Sequence, residues 1–95
     1  MSRTLHQNKC KRKGAREMNV RYEKLVGNNI RKIREEAEMT QEMLATRLQL
    51  LGCDITRSAV AKIEVGQRHI YPDEIKLIKE ILNTTFEKIF YEEDN

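Results

Sequence analysis

From Tyr22 onward, apolar residues recur at three- and four-residue steps, the period of a helix with one buried face. Tyr22, Leu25, Val26, Ile30, Ile33 and Ala37 share that face, while Arg31, Lys32, Glu35, Glu36 and Glu38 cover the other. Gly27 and Asn28 interrupt the pattern, so it predicts a helix from about Asn28 to Glu38. Thr40 is a suitable N-cap for a second helix, with Glu42 in its first turn where the helix dipole favours an anion. Leu44, Ala45, Leu48 and Leu51 form its apolar stripe, and Gly52 supplies a positive-φ stop. Thr56 caps a third, shorter helix, with Ile55 and Val60 at the spacing of a hydrophobic staple. Val60 and Ile63 face inward there, Arg57, Ser58, Ala61 and Lys62 face outward, and Gly66 ends it. After the loop Gln67–Tyr71, Pro72 with Asp73 and Glu74 opens a fourth helix. Its apolar positions are Ile75, Leu77, Ile78 and Ile81 or Leu82, and Asn83 closes it. Thr84 with Glu87 makes a capping-box pattern for a last short helix holding Phe86, Ile89 and Phe90.

Five helices with short connections and no strand pattern predict an all-α fold. The expected organisation is a basic, disordered arm over residues 1–21, one domain over 22–91, and an acidic tail over 92–95. A chain of 95 residues has room for one small domain. Four Gly and one Pro are too few for the turns of a sandwich or barrel. No apolar run approaches the ~20 residues that span a bilayer, and the basic start lacks the apolar core of a secretory signal. Cys10 and Cys53 have no metal-ligand spacing, which fits free thiols in a reducing cytoplasm.

Charge is unevenly distributed. Residues 1–24 carry eight Lys and Arg against two Glu, a net +6 within an overall +3, so the rest of the chain carries −3. A basic arm of this kind either contacts nucleic acid or is simply solvated.

An enzyme needs convergent polar groups, and none assemble here. His6 lies in the arm and His69 in a loop, with no carboxylate placed beside either by helical spacing. Cys53 fits a small half-buried thiol better than a nucleophile. No phosphate-binding glycine loop, dinucleotide fingerprint or zinc-protease motif is present. The expectation is therefore no catalytic residue, no metal, no cofactor and no small-molecule ligand.

The second and third helices carry the most information. A capped helix, a short turn and a second short helix with a polar, basic outer face form a helix–turn–helix pattern. In such a unit the second helix enters the DNA major groove. Arg can donate two hydrogen bonds to guanine, Ser can donate or accept, and Lys reaches guanine or phosphate. By pattern alone, an αα-hairpin in a protein-interaction bundle accounts for the same residues.

The stretches Thr40-Gln41-Glu42-Met43-Leu44-Ala45 and Ser58-Ala59-Val60-Ala61-Lys62-Ile63-Glu64-Val65-Gly66-Gln67-Arg68 resemble the Cro/phage-repressor-like helix–turn–helix family, often called XRE. That family reads T/S-Q-E-x-L-A, then S-x-x-[IV]-[SA]-x-[ILW]-E-x-G-x-[KR] and a later Pro, here Pro72. The resemblance covers about Val26–Phe90. It implies a compact five-helix lambda-repressor-like DNA-binding domain. It also implies base-reading roles for Arg57, Ser58 and Lys62, with Ala59 against a thymine methyl. Backbone roles fall on Thr40, Gln41, Thr56, Gln67 and Arg68, and an interhelix ion pair on Arg34 and Glu64. The segment Gln49–Ile55 is longer than in compact phage repressors, which leaves the orientation of Arg57 and Ser58 open.

The function expected from this resemblance is a cytoplasmic, sequence-specific regulator of transcription, a repressor binding double-stranded DNA. It is expected to work as a homodimer through the Phe86–Phe90 helix, whose aromatics would otherwise close the monomer core. The alternative is a protein-interaction module such as the antitoxin of a toxin–antitoxin pair.

Overall fold

The computed structural model describes residues 13–91, with side chains from residue 22 onward. Residues 1–12 and 92–95, which include much of the expected arm and the acidic tail, lie outside the described residues. Among the described residues there are five helices and no strand: α1 (Lys13–Glu36), α2 (Gln41–Leu50), α3 (Arg57–Glu64), α4 (Pro72–Leu82) and α5 (Phe86–Phe90). The all-α architecture follows from the apolar stripe each segment carries.

Those stripes meet in one core. Ile30, Leu44, Leu48, Ile55, Ile78 and Ile89 each expose 1% of their surface or less, and they come from α1, α2, the α2–α3 turn, α4 and α5. With Val60 and Ile63 of α3, every one of these helices contributes to a single buried cluster. The helix α1 packs along α3 and α5, and α2 packs against α3 and α4. Ile55 and Val60, the staple positions around the start of α3, are both buried.

The helices end by a shared device. Gly52 (φ 91°) and Gly66 (φ 80°) take the left-handed conformation after α2 and α3. The N–H of Cys53 then bonds the Leu48 carbonyl at 2.9 Å, and that of Gln67 bonds Lys62 at 2.8 Å. Asn83 (φ 55°) ends α4 in the same way. At the end of α1 the position is held by Glu38 at φ 60°, with the Met39 N–H on the Arg34 carbonyl at 3.1 Å. A side chain there works against the left-handed conformation.

Several boundaries differ from the sequence pattern. The first helix begins at Lys13 rather than near Asn28, and it ends at Glu36 rather than Glu38. Gly27 does not interrupt it, because the glycine serves packing. A Cβ there would sit 2.1 Å from the Ile63 carbonyl oxygen, so α1 can cross the end of α3 only without one. Tyr22, Ala37 and Leu51, expected on buried faces, are exposed. The last helix is capped by Thr85, whose hydroxyl accepts the Lys88 N–H at 3.2 Å, not by Thr84. The N–H of Thr84 is already committed to the Lys79 carbonyl at the end of α4.

Candidate nucleic-acid interface

The helix pair α2–α3 is defined at both starts by threonine. The Thr40 hydroxyl accepts the Met43 N–H at 3.0 Å, and the Thr56 hydroxyl accepts the Ala59 N–H at 3.1 Å. Each cap satisfies one of the N–H groups that a helix start leaves without an intrahelical partner. The remaining ones face outward from an electropositive helix end, where an anion is favoured.

Beyond the Thr56 cap, the outer face of α3 presents Arg57, Ser58 and Lys62, all exposed, with Ala59 half-buried beside them. Neither Arg57 nor Lys62 enters an ion pair among the described residues. Their charged groups are therefore available to a partner. The inner face of the same helix is fixed by Val60, Ile63 and Glu64, all buried.

Glu64 is held by three donors. Arg34 gives it Nε at 2.7 Å and Nη2 at 3.0 Å, a two-pronged guanidinium–carboxylate pair, and Gln41 gives Nε2 at 3.0 Å. The remaining Arg34 nitrogen, Nη1, donates to the Met39 carbonyl at 2.7 Å. This network ties α1, the end of α3 and the start of α2 together. Donation to the Glu64 carboxylate raises the Arg34 pKa further, against the lowering effect of burial, so the guanidinium stays charged. Gln41 spends one amide hydrogen on Glu64, which orients its side chain and leaves the second.

A second pair lies in the α3–α4 loop. Arg68 grips Glu74 through Nη1 at 3.0 Å and Nη2 at 3.1 Å, and its guanidinium lies 5.7 Å from the Tyr71 ring centroid. Glu74 also accepts the Tyr71 N–H at 3.0 Å, closing the first turn of α4. Burial pushes the Glu74 carboxyl up, but the Arg68 and Tyr71 hydrogen bonds and the Arg68 charge outweigh it and hold it below its ordinary value. Arg68, placed on the DNA backbone by its resemblance, also donates Nη1 to the His69 carbonyl at 2.9 Å, so it is anchored within the domain and keeps only its Nε–H and one Nη2 hydrogen uncommitted among the described residues. Nothing in the sequence spacing distinguishes Glu74 from an ordinary first-turn acid. Gln67 is exposed, and His69 reaches back to Glu23 of α1.

The turn from α2 to α3 spans Leu51–Thr56, and Gln49 Nε2 donates to the Ile55 carbonyl across it at 2.6 Å. Half-buried Cys53 is a free thiol whose pKa is pushed up, first by burial and then by the charges of Glu74 and Asp73, so it stays protonated at neutral pH. No group of three or more metal-ligating side chains is gathered among the described residues, and no helix among them is long and apolar enough to cross a membrane.

A family model described as helix-turn-helix matches residues 30–89 of the chain. A search of curated proteins and one of solved structures both return no match.

Proposed function

The chain belongs to the Cro/C1-type helix–turn–helix family, a family of DNA-binding regulators, and from that membership we propose that it is a sequence-specific transcriptional repressor acting in the cytoplasm. In this reading α3 enters the major groove. Arg57 donates to a guanine edge, Ser58 and Lys62 read neighbouring positions, and Ala59 meets a thymine methyl. Thr40 and Gln41 at the start of α2, Thr56 at the start of α3, and Gln67 and Arg68 in the following loop contact phosphates. The observation that carries the reading is the exposed face of Arg57, Ser58 and Lys62, free of ion pairs among the described residues, on a helix anchored from behind by buried Glu64.

A single such helix covers a few base pairs, so the working form is a homodimer on an inverted repeat with half-sites ~10 bp apart or a multiple of that. The aromatic surface of α5 supports this. Phe86 stacks on Phe90, and Phe90 stacks on Tyr22 of α1, yet Tyr22, Phe86 and Tyr91 stay exposed. Residues 1–24, at +6, add phosphate contacts beside the half-site.

Mobility shifts with random and selected duplexes across a salt series test the reading. A shift at low salt that tightens on selected sequence is expected, with a steep fall of affinity as salt rises. No shift with any duplex at low salt would overturn it in favour of a protein-interaction module.

A further inference from the structure

The connection from α2 to α3 runs over six residues, Leu51–Thr56. Its beginning is fixed by backbone, through Gly52 N–H to the Gln49 carbonyl at 3.0 Å and Cys53 N–H to the Leu48 carbonyl at 2.9 Å. Its end is fixed by the Thr56 cap and by buried Ile55. One side-chain hydrogen bond joins the two ends among the described residues: Gln49 Nε2 to the Ile55 carbonyl at 2.6 Å.

We propose that Gln49 is a positioning residue that sets the tilt of α3 against α2, and through it the base-pair discrimination of Arg57 and Ser58. The second half of this statement rests on the DNA-binding reading above. Gln49 is tied by its carbonyl to the start of the turn and by its amide to the residue just before the α3 cap, so it closes a ring around the connection. The far end of α3 has its own anchor, the Glu64 network. Arg57 and Ser58 sit at the opposite end of an eight-residue helix, a lever of about 12 Å. A tilt of about 5° about the Glu64 end moves the Arg57 backbone by roughly 1 Å, beyond the ~0.5 Å tolerance of a preorganised contact. Core packing of Ile55, Val60 and Ile63 limits how far α3 moves, and the Gln49 bond to the Ile55 carbonyl sets the tilt within that range.

The test uses the full chain and the Gln49→Met substitution, which keeps length, neutrality and helix propensity while removing the donor. Residual dipolar couplings of the free protein report the tilt of α3 against α2. Competition binding compares the selected duplex with duplexes changed at single base pairs. The tilt is expected to change by several degrees. Discrimination at the positions under Arg57 and Ser58 should fall roughly fivefold or more, while affinity for random duplex at low salt holds within about twofold. An unchanged tilt overturns the proposal, and so does an equal loss on every duplex. If the unsubstituted protein binds no duplex, the discrimination half fails together with the DNA-binding reading, and the couplings still decide the clamp by themselves.

Discussion

Removing the carboxylate of Glu64 strands a charge in the interior. Its side chain is 1% exposed and that of Arg34 is 9% exposed, so neither can turn to water when its partner is lost. In Glu64→Gln the guanidinium keeps the Met39 carbonyl but loses its buried counter-charge, and only the exposed carboxylate of Glu35, 4.0 Å away, remains. In Arg34→Met the carboxylate keeps only Gln41, and the Met39 carbonyl loses its donor. Breaking a buried pair from one side costs about 3–5 kcal/mol, whereas an exposed pair is worth about 0–1. For a domain of this size each kcal/mol moves the melting temperature by about 4–8 °C, so either substitution is expected to lower it by 12 °C or more. Urea melts followed by circular dichroism give the free energies, provided the slope with denaturant is unchanged. The doubly substituted protein buries no unpaired charge and is expected to recover about 2 kcal/mol relative to the sum of the single losses. Two single losses of about 1 kcal/mol or less that simply add would refute the claim that this pair locks α1 to α3.

Three further outcomes follow from particular backbone and side-chain positions. Gly27→Ala, ordinarily stabilising in a helix interior, is expected to cost about 1–3 kcal/mol, because its Cβ would meet the Ile63 carbonyl; a raised melting temperature would contradict the close crossing. Glu38→Gly should stabilise the protein by about 1 kcal/mol by relieving the left-handed position at the end of α1, and a destabilised variant in the same melts would show that the Glu38 side chain contributes more than its backbone costs. The depressed Glu74 carboxyl makes the unfolded chain bind more protons than the folded one in mild acid. Its contribution is therefore present above about pH 4.3 and lost as pH falls through the lower folded value; stability measured against pH should fall less steeply there in Glu74→Gln, and an identical slope would refute the pairing with Arg68.

The stops at Gly52, Gly66 and Asn83 were legible because left-handed backbone selects those residue types, and the caps Thr40 and Thr56 because few side chains fill that role. Glu38 performs the same stop with a residue that carries no such signal. Gly27 was misleading for a physical reason. A glycine that permits close packing and one that breaks a helix look alike in one dimension, and only the Ile63 carbonyl distinguishes them. Thr84 and Thr85 are equivalent as letters, and the choice between them depends on where α4 ends. At the site, Arg57, Ser58 and Lys62 are exposed together on one short helix. The engagement of Arg68 with Glu74, and of Gln49 with Ile55, depends on how the loops close, which spacing along the chain does not encode.

The central claim is that α3 reads base pairs. Selection of bound duplexes from a random pool, run in parallel with the unsubstituted protein and Arg57→Ala, tests it most directly. The unsubstituted protein is expected to enrich a defined inverted repeat. Arg57→Ala should then relax the preference at one guanine in each half-site and lose about 1–3 kcal/mol on the best sequence, with its other positions unchanged. Failure to enrich any sequence, or the same consensus from both proteins, would contradict the placement of α3 in the groove.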